Sequence, residues 1–341
     1  MTSPVVATKK PVDLVLSGGG VRYVGLVGAI VALMDSGYSA YRMAATSSGS
    51  VVGSIMAAAS KGDQLTGEQI KELAVTVPLR KWRDKGSFGH VPVVGRAWGV
   101  LRDAGVYRGD FAHDWIRSQL TNLGVTTFGD LAVDDDHLLP ERRYKLVVTA
   151  ADVTRGQLVR LPWDYRRIYG LDPDEQSVAD AVRASMAIPF YFRPVELTSS
   201  AGRTCTLVDG GVLSSFPIDA LDRPDRQPPR WPTFGITLTS KPPESHDVVI
   251  PGLHPLRFLR SPSLLEGLIT TILVGHDQTH LDQPWISART IRVDTTGVSA
   301  LEFGMSREQA EALYGKGYAA AQAFLSSWDW PAYLGQFRPP G

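Results

Sequence analysis

The chain predicts an α/β fold with a mainly parallel central sheet flanked by helices, and three observations carry that prediction. A nearly continuous apolar run, Val12 to Leu16, stops at Ser17-Gly18-Gly19-Gly20 and is followed by an apolar helical stretch, Val24 to Met34. A second cycle repeats it: Tyr41 to Ala45 is strand-like, Thr46 to Ser50 is a turn of small residues, and Val51 to Ser60 is helical. Strands and helical stretches then keep alternating to the C-terminus, as βαβ units require, and such strands are buried on both faces.

Residues 62–120 read as mainly helical, with glycine-bounded interruptions at Gly86-Ser87-Phe88-Gly89 and Gly105-Val106-Tyr107-Arg108-Gly109, and form the candidate lid or cap. Tyr144 to Asp152 and Gln157 to Pro162 have strand character, joined through Thr154-Arg155-Gly156 as a hairpin. Ser177 to Ala187 predicts a helix halted by Pro189. Strands follow at Thr204 to Val208 and Phe234 to Thr239, with surface connections at Asp222 to Pro232 and Lys241 to Pro255. A helix around Leu264 to Leu281, a strand at Arg289 to Val293 and a helix at Arg307 to Leu325 complete the chain. One domain over residues 11–328 is the economical division, with extensions at 1–10 and 329–341.

Composition narrows the function classes. Of 341 residues, 43% are hydrophobic and 21% charged, ordinary for a globular protein. Lys and Arg (35) balance Asp and Glu (35), so no net field draws nucleic acid or an anionic surface, and a nucleic-acid partner is not expected. A single cysteine, Cys205, excludes an internal disulfide and multi-cysteine metal sites. No signal peptide or membrane-spanning stretch is legible, so the expected compartment is the cytoplasm, with peripheral attachment to a membrane left open. The seven histidines (His90, His113, His137, His246, His254, His276 and His280) lack a telling context. His276 and His280 are four apart on a predicted helix but have no HExxH glutamate beside them, so a surface or packing role is favoured over a metal.

Three short segments carry chemistry. Ala45-Thr46-Ser47-Ser48-Gly49 lies where a strand turns into a helix, which lifts a serine out of the sheet and points a helix N-terminus at developing negative charge. Ser47 is the better nucleophile candidate, because Gly49 follows it by two residues whereas Ser50 stands at that spacing after Ser48. Gly18-Gly19-Gly20-Val21-Arg22 is a loop that can turn successive amides toward a phosphate or an oxyanion. It is not a dinucleotide fingerprint, since Tyr23 occupies the third glycine's place, and it lacks the Gly-Lys of a P-loop. Asp209-Gly210-Gly211 ends the strand after Cys205, where ligands of open α/β sheets bind. Each segment alone also reads as packing or as a routine turn.

Taken in order, SGGGVR, ATSSGSVVG, AVRASMAIPFYFRPV and VDGGVLSSFPID resemble the glycine-rich loop, nucleophile elbow, serine-bearing helix and aspartate turn of the patatin-like phospholipases. The resemblance spans about residues 11–328. It implies a three-layer fold with a helical cap and a serine lipid acyl hydrolase of phospholipase A, lysophospholipase or esterase type. Ser47 would be the nucleophile and Asp209 its base, without a histidine. Gly18, Gly19, Gly20 and Arg22 match the oxyanion loop, and the amide of Ser48 would join it. A lipid ester is then the substrate, and no cofactor or metal is implied.

Two positions depart from the family pattern: Ala45 stands where the elbow usually begins with glycine, and Tyr23 where a small residue commonly follows the arginine. The rival classes are an α/β-hydrolase using histidine, whose nucleophile follows more strands than precede Ser47, and a lipid-binding or regulatory pseudoenzyme of the same fold. Arg80-Lys81-Trp82-Arg83-Asp84-Lys85, with the apolar Val91 to Val94 and Trp98 to Leu101, reads either as an interfacial part of the cap or as a solvated helix face. Since an ordinary aspartate is a weak base at neutral pH, Asp209 is expected to be desolvated and its pKa raised.

Overall fold

Two parallel strands, β1 (Lys10–Leu16) and β2 (Tyr38–Thr46), lie side by side at the centre of the sheet, and each ends at one of the predicted turns. The computed structural model describes residues 9–61, 64–84, 105–223, 225, 227–239 and 281–337. β1 hands over to helix α1 (Val24–Asp35) through the glycine loop, and β2 to α2 (Ser48–Ala59) through the elbow. α3 (Gly67–Val75) follows, opened by Thr66 and Gln69 in a capping box.

The candidate cap, read as mainly helical, holds a short strand within its second glycine-bounded interruption. After a 3-10 turn at Leu79–Trp82 comes a short strand, β3 (Gly105–Tyr107), and then α4 (Asp110–Asn122). β-Prone Val106 and Tyr107 give β3 its conformation, and Gly109, at φ 77°, turns the chain into α4. Gly86 to Gly89, Val91 to Val94 and Trp98 to Leu101 lie outside the described residues.

The remaining elements are β4 (Leu146–Asp152), β5 (Gln157–Leu161), α5 (Val178–Ser185), β6 (Phe190–Phe192), β7 (Val195–Thr198), β8 (Thr204–Asp209), β9 (Thr233–Thr239), a single helical turn at Pro284–Ser287, β10 (Thr290–Asp294), α6 (Arg307–Ser327) and α7 (Trp330–Phe337). The sheet runs β10-β9-β1-β2-β4-β8-β7, with β5 also paired to β4. β10 through β4 are mutually parallel, while β5, β8 and β7 are antiparallel to their neighbours. β3 and β6 form a separate parallel pair. The α/β reading with a mainly parallel sheet therefore holds. β3, β6 and β7 are strands that the sequence does not announce, since each is short and interrupted by Gly or Pro nearby.

Alternation along the central strands divides the core in two. Leu14, Leu16, Met43, Ala45, Leu146 and Val148 face the cluster built with α1, α2, α5 and α6, whereas Val15, Ala44 and Val147 face Phe216, Ile218, Leu221 and Ile286 on the other side. α1 and α6 touch almost backbone to backbone. A Cβ on Gly28 would come within 2.0 Å of the Tyr314 carbonyl oxygen, and one on Gly317 within 1.9 Å of that of Gly25. α6 begins at Ser306, whose side chain pairs with Gln309 in a capping box. The predicted helix at Leu264 to Leu281 and the connection at Lys241 to Pro255 lie outside the described residues, apart from Leu281.

Candidate functional site

β2 delivers Ser47 at its C-terminal edge, and β8, two strands away across β4, delivers Asp209 at the same edge. Parallel β2 and antiparallel β8 reach this edge by opposite routes. β4 aligns with β2 at Thr46 and Thr149, and with β8 at Ala150 and Asp209. Gly210 is needed just beyond, because a Cβ there would fall 2.6 Å from the Thr149 carbonyl oxygen. Ser47 Oγ consequently donates to Asp209 Oδ2 at 2.6 Å, across a sequence separation of 162 residues.

The elbow is strained. Ser47 has φ 52° and ψ −128°, a region that side-chain-bearing residues seldom occupy. Its amide donates to Ser185 Oγ on α5 at 2.8 Å, and its carbonyl accepts from Ser50, both amide (2.8 Å) and hydroxyl (2.5 Å). Gly49 is obligatory, since a Cβ would lie 2.5 Å from the Ser17 carbonyl oxygen. Ala45 is buried, and α2 meets it with Gly53, where a Cβ would stand 3.3 Å from the Ala45 methyl. The methyl that Ala45 adds to the strand is thus matched by one absent from the helix.

Asp209 is fully buried, and burial pushes its carboxyl up to about 7 against the lowering effect of the bonds from Ser47 and from the Gly211 amide (2.8 Å). This is the direction that the sequence leads one to expect. The described histidines bond elsewhere: His113 to Asp180 at 2.6 Å, and the His137 amide to Asp135. His90, His246, His254, His276 and His280 lie outside the described residues.

The glycine loop is fastened from behind. The Gly18 amide donates to the Ser215 carbonyl at 2.9 Å, so this amide, counted with the oxyanion loop on sequence grounds, is already occupied. The amides of Gly19, Gly20 and Ser48 have no partner among the described residues. Arg22 also works as a brace. Its buried side chain donates from Nε to the Gly19 carbonyl (3.1 Å) and from Nη1 to Thr295 Oγ1 (3.2 Å), and burial lowers its pKa to about 10. Gly20, at φ 60°, leaves no room for a side chain against the Ala300 carbonyl.

A small apolar cleft of about 30 Å3 adjoins Ser47 and Ser48 and is lined by Tyr23, Val51, Trp82, Ile188, Phe192 and Phe303. Trp82 is buried here while Arg80 and Lys81 stay exposed, so the tryptophan of the basic–aromatic stretch faces the cleft. Ser185, Ser215 and Thr295 are contributors that the sequence reading missed. No spacing rule links them to Ser47 or Gly18, although Ser185 does lie inside the serine-bearing helix.

The family model of the patatin-like phospholipases matches residues 14–222, from β1 to just beyond the aspartate turn. The chain belongs to the patatin-like phospholipase family. This patatin-like chain is 31% identical over 319 residues, 93% of its own length and 99% of the relative's, to a Bacillus subtilis (strain 168) protein described as the uncharacterized protein YqhO. Among solved structures it superposes on VipD from Legionella pneumophila with a TM-score of 0.52 and 18% identity, covering 94% of this chain and 67% of that one, a likeness of fold. It also matches ExoU, in its heterodimeric complex with SpcU from Pseudomonas aeruginosa, with a TM-score of 0.49 and 17% identity over 52% of that chain. Among the described residues no helix is long and apolar enough to cross a membrane, and no cluster of three or more His, Cys, Asp or Glu is placed to hold a metal.

Proposed function

We propose that this protein is a serine hydrolase of lipid carboxylic esters, with Ser47 as nucleophile and Asp209 as its base. The observation that carries the reading is the 2.6 Å contact from Ser47 Oγ to a buried carboxylate, at the head of an apolar cleft. A hydroxyl becomes a competent nucleophile when a base within hydrogen-bond reach takes its proton, and a carboxyl lifted to about 7 is well matched to that task near neutral pH. Ser47 Oγ attacks the ester carbonyl as its proton passes to Asp209. The amides of Gly19, Gly20 and Ser48 receive the oxyanion, each such donor contributing on the order of 3 kcal/mol in comparable sites.

Collapse releases the alcohol, which takes the proton from Asp209 and leaves acyl-Ser47. Water, deprotonated by the same carboxylate, then attacks the acyl-enzyme and frees the fatty acid. Gly18 and Arg22 shape the loop that presents the donors. Peripheral contact with a bilayer, through exposed Arg80 and Lys81, accompanies this reading, and no cofactor enters it.

Lipidomic profiling of a lipid extract incubated with wild type or Ser47→Ala tests nucleophile and substrate class together. Wild type should release free fatty acid and its matching alcohol or lysolipid, and the variant should not. Equal release by both would reject the assignment and favour a lipid-binding role.

A further inference from the structure

Tyr23 is placed to set how long an acyl chain the cleft accepts. Its ring lines the cleft one helical turn from the glycine loop, and its hydroxyl donates to the Ala74 carbonyl at 2.7 Å. Ala74 lies in the last turn of α3, where a helix leaves carbonyls without internal partners, so the bond both caps α3 and stops the ring from swinging. Trp82, its ring 5.9 Å from Trp115, and Phe192 and Phe303, in a T-shaped contact at 6.2 Å, line the same cleft. All four rings are buried. The walls are therefore large, rigid and interlocked, and a longer ligand would have to break packing to extend past them.

The enclosed space is small, about 30 Å3, and it begins at Ser47 itself. On the reading of Ser47 and Asp209 given above, we infer that the cleft is an acyl pocket closed by Tyr23, which makes short- and medium-chain acyl esters the preferred substrates and Tyr23 the residue that determines specificity.

The test is a series of nitrophenyl esters, butanoate, octanoate, dodecanoate and palmitate, at fixed detergent, with wild type, Tyr23→Ala, Tyr23→Phe and a Ser47→Ala control. For wild type, kcat/KM should rise by up to about fourfold per methylene while the chain fits, peak at or below octanoate, and be at least about tenfold lower for palmitate, the scale on which pockets discriminate by size. Tyr23→Ala should move the peak to dodecanoate or longer, whereas Tyr23→Phe, which keeps the ring but loses its tether to Ala74, should move it less. Should Tyr23→Ala fail to fold, Tyr23→Leu is the replacement and should shift the peak the same way.

A wild-type rate on palmitate equal to that on octanoate, or an unchanged peak in a folded Tyr23→Ala or Tyr23→Leu, would overturn the inference. Hydrolysis of no ester at any length would instead reject the hydrolase reading. Calorimetric titration of Ser47→Ala with octanoate and palmitate then decides the pocket by itself: tighter octanoate binding supports closure by Tyr23, and equal or tighter palmitate binding overturns it.

Discussion

The amide of Ser47 donates to the hydroxyl of Ser185 at 2.8 Å, which ties a strained elbow on β2 to the end of α5, 138 residues later in the chain. Replacing Ser185 with alanine leaves a buried amide without its acceptor, at a cost of about 1–3 kcal/mol. Since that amide belongs to the nucleophile, Ser185→Ala should lower kcat more than it raises KM and should slow labelling of Ser47 by a fluorophosphonate. A variant with lowered stability but unchanged labelling rate would show that the bond only holds the fold.

Ser47 and Asp209 should act as one unit. Ser47→Ala and Asp209→Asn are each expected to reduce kcat/KM by roughly 10³-fold or more, and the double variant should be little worse than either alone, as groups serving one step behave. Multiplicative losses in steady-state kinetics would mean that the two serve separate steps.

The pH dependence follows from the Asp209 carboxyl, raised from 3.8 to about 7 by burial. A base must be unprotonated, so kcat/KM should climb with pH through an apparent pKa near 7. For stability the direction is opposite. The folded state retains a proton that the unfolded chain sheds near 3.8, so the group's contribution is complete below that pH and is lost as pH rises through 7. Relative to wild type, Asp209→Asn should gain less than about 1 kcal/mol at pH 4 and up to about 4 kcal/mol by pH 8, as read by urea denaturation. A constant difference across that range would refute the shifted carboxyl.

The positive φ of Ser47 separates two inactive variants. Glycine adopts φ 52° freely while alanine does not, so Ser47→Gly should be more stable than Ser47→Ala by about 1 kcal/mol, although neither should hydrolyse esters. Equal thermal midpoints would argue that the elbow carries no strain.

Ala45 and Gly53 should be coupled. Gly53→Ala places a methyl 3.3 Å from that of Ala45, while Ala45→Gly opens the space, so a double-mutant cycle should show about 0.5–3 kcal/mol of interaction. Strict additivity would mean that the strand–helix contact adjusts without strain.

Local chemistry along the chain was sufficient to reveal the sheet's parallel half and the two turns that end β1 and β2, because an apolar run closed by glycines or small residues constrains the backbone within a few positions. Asp209 was also legible, as a carboxylate ending a strand. The short strands β3, β6 and β7 were not: each has three or four residues, too few for a period to register, and each owes its conformation to a partner strand.

At the site, the sequence by itself determined which groups are chemically able to act: Ser47, Asp209 and the amides of a glycine loop. Only the tertiary structure decided which of them are free to do so. Folding commits the Gly18 amide to Ser215 and the Arg22 guanidinium to Gly19 and Thr295, it holds Ser47 through Ser185, and it turns Tyr23 and Trp82 into cleft walls. The physical reason is distance along the chain. Turn propensity is set by neighbouring residues, whereas hydrogen-bond commitment and desolvation, which raise Asp209 toward 7, depend on segments that meet only when the sheet is assembled.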